Sequence, residues 1–505
     1  MNLFSAHGPR RVAPGDSETS HQAAWRGQIV RDLWRTGLLI AVFTLCGCLV
    51  GPDYKRPAIS APAAFRGQST AEQNSFADQG WWDVYSDPLM NALIKEALTN
   101  NYDLKTAIAR AKEAEAYRGI ARSAYFPTVG VDSGVQRDHG VFKEDPELDL
   151  PTNQTSNLFL GGLATAWEVD LWGRVRRSTE AANAEYLATE EGRRGLMLAL
   201  ITEVAQSYLE LVELDGRLTV AHDSRDAFES TYTLFSKRYG AGIVSRLQVT
   251  RAQAALSAAE GTLNDIERQV AEKENEICVL VGRNPSPVQR ASPEKEMNPP
   301  PTVPAGIPSQ LLERRPDIRE AEENLRSASA RVGIASANFF PRFGLTALLG
   351  SVSPELSALT SGTADIWALA ASLSGPVFTG GRLTNERRAA VDVFDQAKSQ
   401  YSQSALTAFR EVSDALIASQ KLSAVEVQQK AEVAALTDSV TIARRRYLGG
   451  LASYYEVLEA QQLLYPSEIS LSETSRDRRL AIVDLYRALG GGWNFDNTQW
   501  TNGHP

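Results

Sequence analysis

Residues 238–256 read RYGAGIVSRLQVTRAQAAL, and residues 446–464 read RYLGGLASYYEVLEAQQLL, 208 positions later. Arg, Tyr, Gly, Ser, Val, Ala, Gln and Leu recur in register. The repeat is wider than this phrase. ITEVAQ (201–206) matches FREVSD (409–414), and WGRVRR (172–177) matches GGRLTN (380–385), at the same offset. Upstream, DLKTA (103–107) matches DIREA (317–321) and SAYFP (123–127) matches SANFFP (336–341), offset by 214. The six-residue change falls in one spacer, because Pro127 to Arg174 spans 47 positions and Pro341 to Arg382 spans 41. Self-similarity of this kind means one structural unit used twice.

Each copy reads in the same order. A helix over 88–124 or 316–338 ends at an FP dipeptide, since proline lacks a donor and disfavours helix in the residue before it. Two extended segments follow, at 128–136 and 157–170 in the first copy and 342–352 and 366–378 in the second. A long helix then runs over 174–238 or 382–446, the opening phrase breaks it, and a shorter helix continues to Val281 or Leu489.

The strand assignment rests on period two. Trp367, Leu369, Ala371 and Leu373 alternate with Ala368, Ala370, Ser372 and Ser374; Val129, Val131 and Val135 alternate with glycine and polar residues. Tilted strands of about 9–11 residues cross a membrane, but closed barrels start near eight strands. Four strands per chain therefore require an oligomer if they span a bilayer; a soluble half-buried sheet is the alternative. The 65-residue helix over 174–238 would be roughly 97 Å long at 1.5 Å per residue. It contains no proline and is rich in good helix formers. Phe394, Tyr401, Ala408, Ala415 and Leu422 fall seven apart, as in a coiled-coil seam. Trp81 and Trp82 are expected to pack on the helical bundle.

A net charge of −9 gives no footing for nucleic acid. The three cysteines, Cys46, Cys48 and Cys278, and the five histidines show no metal-ligand or nucleophile spacing. Phosphate-loop and G-x-S-x-G patterns are missing as well. The chain therefore reads as a non-enzyme with no cofactor. No stretch after residue 50 reads as apolar enough for a transmembrane helix.

Arg26, Arg31 and Arg35 precede the apolar run TGLLIAVFTLCGC at 36–48. This order is that of a secretory signal, and Leu45-Cys46-Gly47-Cys48 resembles a lipobox with Cys48 as the acylated residue. An uncleaved anchor or a core helix is the alternative. Removal of five basic and three acidic residues takes the net charge from −9 to −11. Leu49 after the cysteine, by resemblance to bacterial lipoproteins, favours the outer membrane. Residues 1–20 do not look like a signal region, so the start is readable as over-long. Cys278, on an apolar helix face, reads as a buried structural thiol. The expected divisions are a signal peptide (1–47), a lipidated segment (48–87), repeat 1 (88–284), a Pro-rich linker (285–315), repeat 2 (316–490) and a C-terminal tail (491–505).

CLVGPDYKRP (48–57), WW (81–82), the doubled FP and GR junctions and the doubled RY phrase together resemble the outer-membrane factors of tripartite efflux pumps. The resemblance is to the TolC/OprM-like group in its NodT-type lipoprotein branch, and it covers essentially the whole mature chain. It implies a mainly α fold with a small β part: a homotrimer whose duplicated helical hairpins form a periplasmic α-barrel and whose four strands per chain form a 12-stranded outer-membrane barrel. It also implies a passive exit duct for small molecules, lipid-anchored in the bacterial outer membrane and extending into the periplasm. The partners are then a periplasmic adaptor and an inner-membrane pump, commonly of the proton-driven RND class. A non-conducting coiled-coil scaffold or adaptor, or a type I protein secretion duct, are the competing readings.

On this reading each RY phrase is a helix turn at the periplasmic tip. Gly242 and Gly450 suit positive φ, and Ser245 and Ser453 suit N-caps. Gly242, Ile243 and Val244, with Gly450, Leu451 and Ala452, are expected to meet the adaptor. Glu456 and Glu459 share one helix face and stand where family members place aperture aspartates, so three copies would ring the opening with carboxylates. Their first-copy counterparts are Gln248 and Arg251, expected to brace closure, and Tyr447 joins the gate set. A solvated helix face is the alternative for these polar positions.

Overall fold

The alternation of valine, leucine and tryptophan with glycine, alanine and threonine does fold as strands. The computed structural model describes residues 49–68, 75, 78–84, 87–144, 151–291, 305–360 and 364–491. The signal segment and Cys48, parts of the Pro-rich linker and the C-terminal tail lie outside these residues. The elements are α1 (Trp81–Val84), α2 (Pro88–Asn100), α3 (Tyr102–Ser123), β1 (Thr128–Glu144), β2 (Pro151–Val169), α4 (Arg174–Gly240), α5 (Arg246–Leu280), α6 (Pro308–Arg314), α7 (Pro316–Ala337), β3 (Arg342–Ser353), β4 (Asp365–Ser374), α8 (Arg382–Leu448) and α9 (Tyr454–Ala488), with a short 3-10 helix at Leu356–Thr360.

Two compact units form, and each draws on both repeats. One contains Ser123–Ser178 and Gly333–Arg387 with the chain up to Pro52; the other contains Asp53–Arg122, Thr179–Val332 and the chain from Arg388. The first is built on an antiparallel sheet in the order β1-β2-β3-β4. Its rows alternate strictly. Val131, Leu163, Leu349 and Trp367 lie side by side in one row, and Gly130, Ala164, Leu348 and Ala368 in the next. In the small-residue rows Gly350 lies so close to Gly162 that a Cβ there would come within 2.5 Å of the Gly162 Cα.

Three elements differ from the sequence reading. The helix expected over 88–124 breaks at Asn101, whose backbone turns out of helix at ψ 132°. Its side chain accepts from the Leu104 N–H and donates to the Leu280 carbonyl, both at 2.9 Å, so it caps one helix start and one helix end together. The strands β1 and β2 are longer than expected, pairing from Thr128↔Ala166 out to Glu144↔Pro151. β4 stops at Ser374 instead of reaching Phe378, because Gly375 packs on Pro341 and Pro376 has no N–H for the ladder.

The second unit is helical, and its core runs through the middle of the long helices. Tyr208, Tyr401, Tyr486, Trp81, Ile201 and Ile277 are fully buried in it. Tyr401, Ala408 and Ala415 of the expected seam are buried as well. Cys278 is fully buried, as expected of a structural thiol. A correction concerns membrane helices: one stretch of α4 is long and apolar enough to pass as a span. It is 67% buried, so its apolar length is explained by the core it crosses.

Candidate functional site

The two RY phrases form the same backbone turn twice. At the end of α4, Gly242 donates to the Tyr239 carbonyl and Ile243 to the Arg238 carbonyl, both at 2.9 Å; Gly450 and Leu451 repeat this with Tyr447 and Arg446 at 3.1 and 2.9 Å after α8. This is the Schellman termination, which needs a left-handed residue after the helix cap. Gly242 (φ +73°) and Gly450 (φ +71°) supply it. Ile243 and Leu451 are then 71% and 76% exposed; Val244 and Ala452 are half-buried. Ser245 and Ser453 open α5 and α9 in extended conformation, as N-caps do.

The side chains of the two turns are wired differently. In the first, Gln248 accepts a hydrogen bond from the Ser245 N–H at 3.2 Å, which satisfies a donor at the start of α5. In the second, Glu456 occupies the same place and turns instead to Arg446 of α8, 3.3 Å away. Arg251 lies 5.9 Å from the Tyr455 ring centre, in cation–π range. Glu459 is exposed. Glu456 and Glu459 stand three residues apart on α9, and Glu456 carries a cation partner within its own chain.

What holds the two turns together is a seam between α4 and α9. Ala221, Ser224, Phe228, Thr231 and Phe235 of α4 are buried at alternating three- and four-residue spacing, which is coiled-coil spacing. Phe235 meets Tyr454 edge-on at 4.8 Å, and Tyr454 meets Tyr447 edge-on at 5.0 Å. The Tyr454 hydroxyl bonds Thr231, and the Arg238 guanidinium donates to the Tyr447 hydroxyl. Further along, Phe228 meets Tyr465 at 5.8 Å. Burial, with the carboxylates of Glu468 and Asp223 beside it, pushes the Tyr465 hydroxyl up to about 12. Burial and then Asp223 likewise push the Glu468 carboxyl up. Arg238, Arg446, Phe235 and Tyr454 were not singled out from the sequence. The three-four spacing in α4 was the available signal; the cross-chain partners of these residues carry none.

The sheet unit has its own candidate surface. Val131, Trp367, Leu369 and Leu373 are 67–80% exposed on one face. At one end, Tyr125, Phe126, Phe339, Phe340 and Phe378 are exposed together, as in the aromatic girdle of a membrane barrel. Trp172 stacks on Phe340 at 4.9 Å and donates to the Pro341 carbonyl at 2.7 Å. At the same place the Val50 N–H donates to the Trp172 carbonyl at 3.1 Å, which fixes the chain two residues after Cys48. Glu168 holds Arg174 in a two-pronged pair at 2.8 and 2.6 Å, and Asp170 accepts from the Val175 and Arg176 N–H groups to start α4. Among the described residues no cluster of three or more His, Cys, Asp or Glu is placed to hold a metal ion.

A family model described as outer membrane efflux protein matches residues 93–283 and 307–491. Toluene efflux pump outer membrane protein TtgC of Pseudomonas putida is 33% identical over 468 residues, 90% of this chain and 95% of the relative. The Salmonella typhimurium protein named "Probable outer membrane lipoprotein SilC" is 30% identical over 457 residues, 90% of this chain and 97% of its own length. The solved outer-membrane channel OprN superposes with a TM-score of 0.81 at 29% identity, covering 88% of this chain and all of its own.

Proposed function

The chain belongs to the outer membrane efflux protein family, and from that premise we propose that it is the passive exit duct of a tripartite efflux system. Three copies form the tube. The apolar face of the sheet meets outer-membrane lipid, and the helical hairpins extend into the periplasm to a tip that opens and closes. A periplasmic adaptor docks on Gly242, Ile243 and Val244 and on Gly450, Leu451 and Ala452. An inner-membrane pump of the RND type supplies the energy, and small molecules are the cargo.

The observation that carries this reading is the exposed row of Val131, Leu349 and Trp367 on a sheet only four strands wide. A soluble scaffold has no use for an apolar face of this kind, and four strands alone cannot close. The missing strands must come from other copies. The decisive experiment reconstitutes the purified chain into planar bilayers. A duct gives discrete conductance steps; a scaffold gives none, and that outcome would discard the proposal.

The gate is assigned to Tyr447, Glu456 and Glu459 with Gln248 and Arg251. Support comes from the ring that three copies of Glu456 and Glu459 would form, and from the aromatic seam that restrains the same turn. The anchor is assigned to Cys48. Leu49 and Val50 are held at the aromatic end of the sheet, where a bilayer surface belongs, and several acyl chains on one residue give firm attachment, each buried CH₂ contributing about 0.8 kcal/mol. Cys48→Ala is expected to abolish incorporation of labelled palmitate; label that persists would refute the assignment.

A further inference from the structure

The internal repeat pairs every helix with a counterpart, and most helix contacts occur twice. α3 lies on α4, where Thr179 donates to the Ala121 carbonyl at 3.4 Å; α7 lies on α8, where Arg387, the repeat counterpart of Thr179, reaches Ser336 at 3.3 Å. Between these pairs α7 also lies on α4. A Cβ at Gly195 would rest on Pro316 at 3.6 Å, Gly192 faces the Glu320 carboxylate, Arg319 pairs with Glu191 at 2.8 Å, and Arg331 pairs with Glu185 at 2.5 Å. The counterpart of this last contact sets α3 against α8, and the faces that would make it are open to solvent.

The exposure is specific to those faces. Ser327 and Ala330 of α7 are buried, whereas their α3 counterparts Glu113 and Ala116 are exposed. Ala184, Ala188 and Glu191 of α4 are buried, whereas Asp392, Gln396 and Ser399 of α8 are exposed and line a groove with Gln400 and Gln403. Leu198 is 5% exposed and its counterpart Leu406 59%. The sheet unit shows the same incompleteness independently. β1 with β2 is repeated by β3 with β4, but β2 with β3 has no counterpart, and β1 and β4 end the sheet with unpaired edges.

We propose that α3 of one copy packs antiparallel into the α8 groove of a second copy, in the register that α7 uses on α4. This rests on the oligomeric duct reading above and specifies its seam. Transferring the internal contacts through the repeat sets Tyr102 against Gln403, Thr106 against Gln400 and Lys105 beside Ser399. Arg110, between Thr106 and Glu113 on the α3 face, comes level with Asp395, so the seam joins opposite charges. Tyr102, 71% exposed in the single chain, becomes buried. The contact is head-to-tail, so every copy offers one donor face and one acceptor face, and a ring closes without a free edge.

Paired cysteines test the register in the full-length chain, purified in detergent. Tyr102→Cys with Gln403→Cys, and Thr106→Cys with Gln400→Cys, are expected to shift the monomer band to covalent oligomers on non-reducing gels after mild oxidation. Tyr102→Cys with Gln396→Cys, about two turns away, is expected to remain monomeric. Arg110→Asp alone should weaken the oligomer, and adding Asp395→Arg should restore it. If light scattering reports an oligomer but neither matched pair cross-links, this seam is wrong and the duct survives. If the chain is monomeric in every detergent and bilayer, both fall.

Discussion

At the first turn Gln248 folds back to the start of its own helix, while at the second Glu456 leaves that place unfilled and reaches Arg446. The backbones of the two turns agree to within 2° in φ at the glycine. A duplicated unit has thus kept the turn and exchanged the charge. The same split appears one residue before each turn helix ends its run: Tyr447 is held by Arg238 and Tyr454, whereas its counterpart Tyr239 is 48% exposed. The first copy supplies the rigid side of the seam through α4. The second copy supplies the aromatic and acidic groups that would have to move. Equal scaffolding does not require equal gating, because the cap bonds and glycine dihedrals that make the turn are backbone terms, while the gate depends on side chains alone.

Three substitutions would break or sharpen this contrast. The largest effect belongs to Tyr454→Ala. It removes the ring lodged between Phe235 and Tyr447 and the bond to Thr231, and large aromatic truncations of this kind cost about 3–5 kcal/mol. Its counterpart Arg246→Ala, on an exposed position, should stay within about 0.5 kcal/mol. Hydrogen exchange at both turns, with conductance alongside, reads the difference; equal effects would mean that the seam is not the restraint. Next, Glu456→Gln with Glu459→Gln is expected to raise conductance and to weaken block by an added divalent cation roughly tenfold, about 1.4 kcal/mol. Gln248→Glu should leave the block largely as it was. Unchanged conductance and unchanged block in the double variant would remove the gate assignment.

The smallest effect concerns Glu468, whose carboxyl is raised by burial and by Asp223. A carboxyl raised in the folded state favours folding below its unfolded pKa, and that contribution is lost as pH climbs through the folded value. The α4–α9 seam should therefore loosen as pH rises from mildly acidic to neutral. Glu468→Gln should flatten this dependence and stabilise at neutral pH by on the order of a few tenths of a kcal/mol. Melting curves at several pH values, compared with the parent chain, would decide it; an unchanged slope would assign the pH response elsewhere.

Much of the fold was legible before any coordinates. Period two located the strands, the doubled phrase located both turns to the residue, and the FP dipeptides located the helix ends. The failures have local causes. Asn101 ends α2 because its amide finds Leu280, a partner 179 residues away, and no local propensity encodes that. β4 ends early because Gly375 meets Pro341, again a contact between distant segments. In the candidate site, the glycines and the two glutamates were readable from the repeat. Arg238, Arg446 and Tyr454 were not, since each matters through what it touches on another helix.

The sequence by itself determined that one helix-strand-strand-helix unit is used twice, where each copy turns and that the copies differ in charge at the turn. These follow from periodicity, glycine and proline, which act over a few residues. Only the tertiary structure decided that the two repeats are not the two compact units. The strands of both copies join one sheet and the helices of both join one core, because each copy's apolar faces are buried only against the other's. The same pairing leaves α3, α8, β1 and β4 with open faces and edges, and the backbone and apolar groups there are what call for another copy of the chain.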